Sequence, residues 1–114
     1  MSLPEIEQHR VKKLLGKFCE ERVSPQVQDR VKLSFNIRGN KVTLVESRIL
    51  VREPSRLIES RIAQFEYNPG INCWTLYCYN RNSKRCPYVP KHDQGSLDKL
   101  IQEVDKDPTG IFWG

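Results

Sequence analysis

The chain holds no run of apolar residues near the ~20 that a membrane-spanning helix requires, so no membrane association is expected. Its opening, Met1-Ser2-Leu3-Pro4-Glu5, has neither a basic segment nor an apolar stretch, and a cytoplasmic protein without a signal peptide is expected. There is no internal repeat and no low-complexity tract, which argues against a solenoid or a disordered linker. A phosphate-cradling glycine loop, a nucleophile elbow and a paired-histidine metal motif are also lacking, so enzyme chemistry has no signature here. No Cys-x-x-Cys pair occurs among the four cysteines, Cys19, Cys73, Cys78 and Cys86, and without a secretion signal they read as buried free thiols. Zinc is the sharper alternative. Against it, Cys73 and Cys78 differ in strand parity, and the nearest histidine, His92, would have to come from a loop. No cofactor and no metal are expected.

What is present points to one α+β domain spanning residues 1–114. Ser2 and Glu5 have capping-box spacing with Pro4 in a first turn, and Val11, Leu14, Leu15 and Phe18 then form an apolar stripe that Ile6 and Cys19 extend. Ser24-Pro25 ends this helix, because a residue before proline is pushed out of the α region. Val31, Leu33, Phe35 and Ile37 alternate with polar residues as a one-sided strand, and Gly39-Asn40 fits a two-residue turn into a partner from Lys41 to about Leu50. Alternation lapses after Val45, which predicts a bulge or bend. Leu57–Tyr67 follows, then Asn68-Pro69-Gly70 as a turn. Cys73–Tyr79, the most β-prone stretch, reads as an interior strand. Lys84–Val89 fits a fifth, edge strand that tolerates Pro87. Ser96 caps a last helix carrying Leu97, Leu100, Ile101 and Val104, which Pro108 stops. The terminal Ile111-Phe112-Trp113 is expected to dock on the body, since burying each aromatic ring could contribute ~2–3 kcal/mol. The predicted architecture is an antiparallel meander of four to five strands, both helices on one face, and a docked aromatic tail.

If Ala63, Phe65, Trp74 and Leu76 face the helices, the opposite face carries Lys32, Ser34, Asn36, Lys41, Thr43, Tyr77 and Tyr79, with Arg81, Lys84 and Arg85 just beyond. Aromatic rings on an open sheet, framed by basic residues, are how several folds stack single-stranded bases. The net charge of +5 is compatible with such a polyanion without demanding one. The plainer reading is that the tyrosines cover a half-exposed sheet and the lysines keep it soluble. The glycine–aromatic signature of an RNA-recognition motif is missing. For catalysis, Glu46, Glu59 and Glu66 are the strand carboxylates, with His92, Asp93 and Tyr88 farther on; none has diagnostic spacing. Glu46 and Glu59 are expected to pair with Arg48 and Arg61 across strands.

The series Gly39-Asn40-x-Val42-Thr43-Leu44-x-Glu46, Ala63-Gln64-Phe65-x-Tyr67, Trp74-x-Leu76-Tyr77 and Arg81-Asn82, closing on Asp107-Pro108-Thr109-Gly110-Ile111-Phe112-Trp113-Gly114, resembles the family known as domain of unknown function 3024. The resemblance covers nearly the whole chain and is most specific in the final octapeptide. It implies a small stand-alone bacterial protein and supplies no activity, substrate or catalytic residue. After Tyr77 the family pattern implies further aromatic residues, whereas this chain reads Cys78-Tyr79 and Cys86-Pro87, so cysteine chemistry would be particular to this chain. The function expected is a non-enzymatic binding or protein-interaction module of unknown ligand. Its partner would be another protein or a second copy of the chain, engaged by the outer tyrosines, the Lys84–Val89 edge or the tail. Single-stranded nucleic-acid binding through the outer sheet face is the alternative, and an enzyme of unknown reaction a second one.

Overall fold

A computed structural model describes residues 3–27, 29–49, 52–53, 56–88 and 94–113. The chain opens with helix α1 (Glu5–Arg22), passes through a 3-10 turn (Pro25–Val27), and enters strands β1 (Val31–Arg38), β2 (Lys41–Ile49), β3 (Leu57–Asn68) and β4 (Cys73–Tyr79). Two short strands, β5 (Arg85–Pro87) and β6 (Gln94–Gly95), precede helix α2 (Leu97–Lys106). The sheet is an antiparallel meander in the order β1-β2-β3-β4-β5, and β6 also pairs with β4. The expected α+β meander with its two helices and docked tail is the fold observed, with a sheet of six strands instead of four to five.

Local chemistry accounts for the turns. Arg38 pairs directly with Lys41 across Gly39-Asn40, and Gly39 takes φ 61°, while Asn40 is not among the positive-φ residues. This is the pattern of a type II′ hairpin turn, whose twist matches that of the strands. The same asparagine then ties β3 into the corner: its Nδ2 donates to the Tyr67 carbonyl at 2.8 Å and its carbonyl accepts the Tyr67 amide at 2.9 Å. At Asn68-Pro69-Gly70 the Asn68 Oδ1 accepts the Gly70 amide at 3.0 Å, an Asx turn. Asn80 does the same between β4 and β5, accepting from Asn82 and Lys84.

A bulge lies at the register of Val45, but the extra residue is in β3 and not in the Lys41–Ile49 strand where the sequence predicts it. Leu44 pairs with Ala63 while Val45 pairs with Arg61, so Ile62 is the extra residue. A bulge reverses which residues share a face, because side chains alternate with a period of two. On the turn side of it, Ala63, Phe65 and Tyr67 point inward; beyond it, Arg61 and Glu59 point outward, opposite Val45 and Ser47. The inner face carries Val42, Leu44, Ala63, Phe65, Trp74 and Leu76, all buried, and Val11 and Leu15 of α1 and Leu97, Leu100, Ile101 and Val104 of α2 close over it.

Several local expectations are corrected. The first helix begins at Glu5 with Pro4 in the cap position and no side-chain cap bond, and Ser2 lies outside the described residues. Gln8 instead donates its Nε2 to the Leu3 carbonyl. Ile6 does not extend the apolar stripe: it is 71% exposed, and Glu7 is the buried residue in that turn, paired with Arg10 at 3.0 Å. The helix does end ahead of Ser24-Pro25 as expected, with Arg22 its last residue. Ser96 occupies the N-cap of α2 but makes no side-chain cap bond. The fifth strand is shorter than Lys84–Val89, and β6 was not foreseen, because a two-residue strand has too little sequence to show a period.

The tail docks through Asp107. This residue takes the left-handed conformation at the end of α2 (φ 46°, ψ 58°), and its carboxylate accepts the amides of Phe112 (3.1 Å) and Trp113 (2.9 Å). The chain is thereby folded back, in a turn that also uses the positive φ of Gly110. Phe112 lies buried 5.2 Å from the Tyr88 ring, and Trp113 donates its Nε1 to the Val104 carbonyl at 2.7 Å, beside Phe18 and beneath the Arg22 guanidinium.

Candidate functional site

Trp74 is 2% exposed while Tyr77 and Tyr79 are half-buried on the other side of the sheet, so the faces are assigned as alternation requires. Register builds the outer face row by row. Asn36, Thr43, Gln64, Tyr77 and Pro87 stand side by side across five strands, and Arg38, Lys41, Glu66 and Thr75 form the next row. Gln64 Nε2 donates to Thr43 Oγ1 at 3.0 Å, which fixes the centre of the first row.

Arg85 joins the two rows. Its guanidinium lies 3.9 Å from the centre of the Tyr77 ring, and its Nη1 donates to Gln64 Oε1 and Glu66 Oε1, both at 2.9 Å. Lys41 approaches the same Glu66 oxygen at 3.9 Å. A planar cation held by a carboxylate at one edge and an aromatic ring below has fewer orientations to lose on binding. Tyr79 has a comparable partner: Arg61 sits 4.9 Å above its ring and donates to the Ser83 carbonyl at 2.6 Å. Between the Arg61 side and β1 lies a shallow trough of ≈ 660 Å³, lined by Asn36, Arg38, Thr43, Glu59 and Arg61 among others.

The candidates named from the sequence therefore divide. Tyr77, Arg85, Lys41 and Asn36 share one patch, and Tyr79 adjoins it. Lys32 stands at the far corner, opposite Ser47 and beside Ile49 and Leu57. Arg81 and Lys84 sit in the exposed β4–β5 turn, outside the patch. Arg61, Gln64 and Arg38 belong to the face and were not among the sequence candidates. Strict alternation from Ala63 would send Arg61 inward, and only the adjacent apolar pair Ile62-Ala63 signals that the alternation breaks there.

The strand carboxylates do not converge. Glu46 is bound by Arg48 of its own strand (2.8 Å), not by a cross-strand partner, and lines an inner crevice with Phe112 and Trp113. Glu59 is on the outer face and Glu66 is held by Arg85 and Lys41. Arg61 likewise turns to Ser83 and Tyr79 instead of Glu59. Tyr88 is buried and donates to Glu103 Oε2 at 2.7 Å; burial and that carboxylate push its hydroxyl far above the ordinary tyrosine range. His92 and Asp93 lie outside the described residues. Among the described residues no three His, Cys, Asp or Glu side chains come together as a metal-ligand set. No helix among them is long and apolar enough to cross a membrane.

The match of the family model for domain of unknown function 3024 runs from residue 3 to residue 114. The chain belongs to this family. Comparison with curated proteins finds no match, and comparison with solved structures finds none either. The domain of unknown function 3024 thus presents its outer sheet face in this chain as two tyrosine rings, each beneath an arginine, within a band of polar side chains.

Proposed function

We propose that this protein is a small cytoplasmic bacterial protein, a single non-enzymatic domain that binds its ligand through the outer sheet face. The ligand class that this face suits best is single-stranded nucleic acid. One observation carries the reading: the Arg85–Tyr77 stack, fixed by Gln64 and Glu66, with the Arg61–Tyr79 stack beside it. Guanidinium planes and aromatic rings both stack on bases, and Lys41 and Arg38 supply charge for a backbone running along the trough. The strand cations Lys32, Arg38, Lys41, Arg61 and Arg85 outnumber the acids Glu59 and Glu66 on this face, which suits a polyanionic ligand. A non-enzymatic role is supported by the scattering of Glu46, Glu59 and Glu66 over two faces.

A protein partner is the second reading, favoured by Ile49 and Leu57, which pair across β2 and β3 at their far end and are 38% and 55% exposed. Fluorescence anisotropy with labelled single-stranded RNA and DNA, from low to physiological salt, tests the choice. Binding that survives physiological salt should weaken roughly ten-fold or more in a folded Tyr77→Ala/Tyr79→Ala variant, from the loss of base stacking. Binding that disappears with salt, or ignores the tyrosines, would reduce the face to general attraction between a basic protein and polyanions.

A further inference from the structure

Cys78 and Cys86 face each other in register across β4 and β5, with their Sγ atoms 3.1 Å apart. We propose that this pair is a reversible dithiol–disulfide site, oxidised by exchange with a low-molecular-weight disulfide. The argument begins with the ladder. Directly opposed residues of an antiparallel pair have Cα atoms about 4.5–5.5 Å apart, inside the range of about 4.4–6.8 Å that a disulfide spans. The sulfur atoms need to approach by only about 1 Å more to reach bonding distance. β5 is three residues long and lies at the end of the meander, and among the described residues it has no second ladder on its other side for that adjustment to disturb. The other two cysteines have no such arrangement: Cys73 stands opposite Asn68, and Cys19 is on α1.

The two thiols differ in access, which assigns their order of reaction. Cys78 is 5% exposed, whereas Cys86 is half-buried. Burial, reinforced by the neighbouring Cys86, pushes the Cys78 thiol up to about 11, so it stays protonated in the reduced pair. Cys86 therefore meets the incoming disulfide. Its thiolate attacks one sulfur of R–S–S–R, the S–S bond breaks, and one R–S⁻ leaves with the electron pair. Cys78 then gives up its proton and attacks Cys86 Sγ, expelling the second R–S⁻. The two protons lost by the cysteines are taken up by the two leaving thiolates, so two protein thiols are oxidised while one small disulfide is reduced to two thiols. The closed bond would pin β5 to β4 between Arg85, which stacks on Tyr77, and Tyr88, which reaches Glu103. This site stands independently of the nucleic-acid reading.

The folded protein would be incubated with excess oxidised glutathione, acid-quenched, and its free thiols counted in denaturant. The count should fall from four to two, with a peptide map joining the Cys78 and Cys86 peptides and no retained glutathione. A Cys19→Ser/Cys73→Ser variant, which leaves the pair untouched, should still lose both remaining thiols. A Cys86→Ser variant should lose the internal bond. Retention of both thiols in the Cys19→Ser/Cys73→Ser variant, a stable glutathione adduct on Cys86, or a bond between two chains would each overturn the proposal.

Discussion

The two faces of the sheet are made by alternate residues of the same strands, yet they hold their aromatic rings in opposite ways. On the inner face Phe65 and Trp74 are sealed under two helices, and Phe112 reaches the same core from the tail. On the outer face Tyr77 and Tyr79 are covered only by single arginines. Removal of apolar area from water stabilises the first set, and the gain scales with the area covered. The second set gains mainly a cation–ring attraction, worth about 0.5–1 kcal/mol at an exposed site. Stability is thus concentrated on one face, and the other is left free to be specialised without endangering the fold.

The sharpest way to break this contrast is Phe65→Ala, which empties a fully buried site. It should cost about 3–5 kcal/mol in urea or thermal unfolding. A loss near that of an outer-face substitution would mean that the core is not where burial places it. Asp107→Ala comes next. It removes the acceptor for the Phe112 and Trp113 amides and leaves alanine at positive φ, and should cost roughly 2 kcal/mol. A red shift of Trp113 emission should accompany it as the tail loosens; unchanged stability and emission would show that ring burial alone seats the tail.

Tyr88→Phe should cost about 1 kcal/mol, and its effect depends on pH. In the folded protein the Tyr88 hydroxyl stays protonated well above its ordinary value of 10, so the unfolded chain ionises first. The contribution is therefore complete below about pH 10 and declines as pH rises beyond it. The variant should flatten the alkaline limb of a stability–pH curve, and a limb identical to the wild type would refute the assignment. Tyr77→Ala should have the smallest effect on unfolding, under about 1 kcal/mol, since the ring is half-exposed and its arginine keeps Glu66. A loss comparable to that of Phe65→Ala would erase the distinction between the faces.

Much of this architecture could be read directly from the order of residues. The alternation in Val31–Ile37 and the i, i+3, i+4, i+7 stripe in α2 specify strand and helix because each period must bring its apolar residues to one side. Gly39-Asn40 and the asparagines at positions 68 and 80 likewise carry their own turn chemistry. Less of the candidate site was legible. Tyr77 and Tyr79 followed from parity, but Arg85 and Arg61 earned their places through neighbours 8 to 22 positions away: Tyr77, Gln64, Glu66, Tyr79 and Ser83. Glu46 pairs with Arg48 as its sequence suggests, but along its own strand and not across the sheet. At the start of α1, exposed Ile6 and buried Glu7 reversed the pattern of their types.

By itself, then, the sequence determined the four long strands, both helices, most turns and which residues of β4 face inward, because those depend on period and on local backbone preference. Only the tertiary structure decided that Ile62 would bulge and turn Arg61 outward, that Asp107 would hold the tail, and that Cys78 would meet Cys86. The bulge and the cysteine pairing depend on strand register, which is fixed only when the strands pair and the core closes over them, and the Asp107 contacts depend on the left-handed turn that folds the tail back.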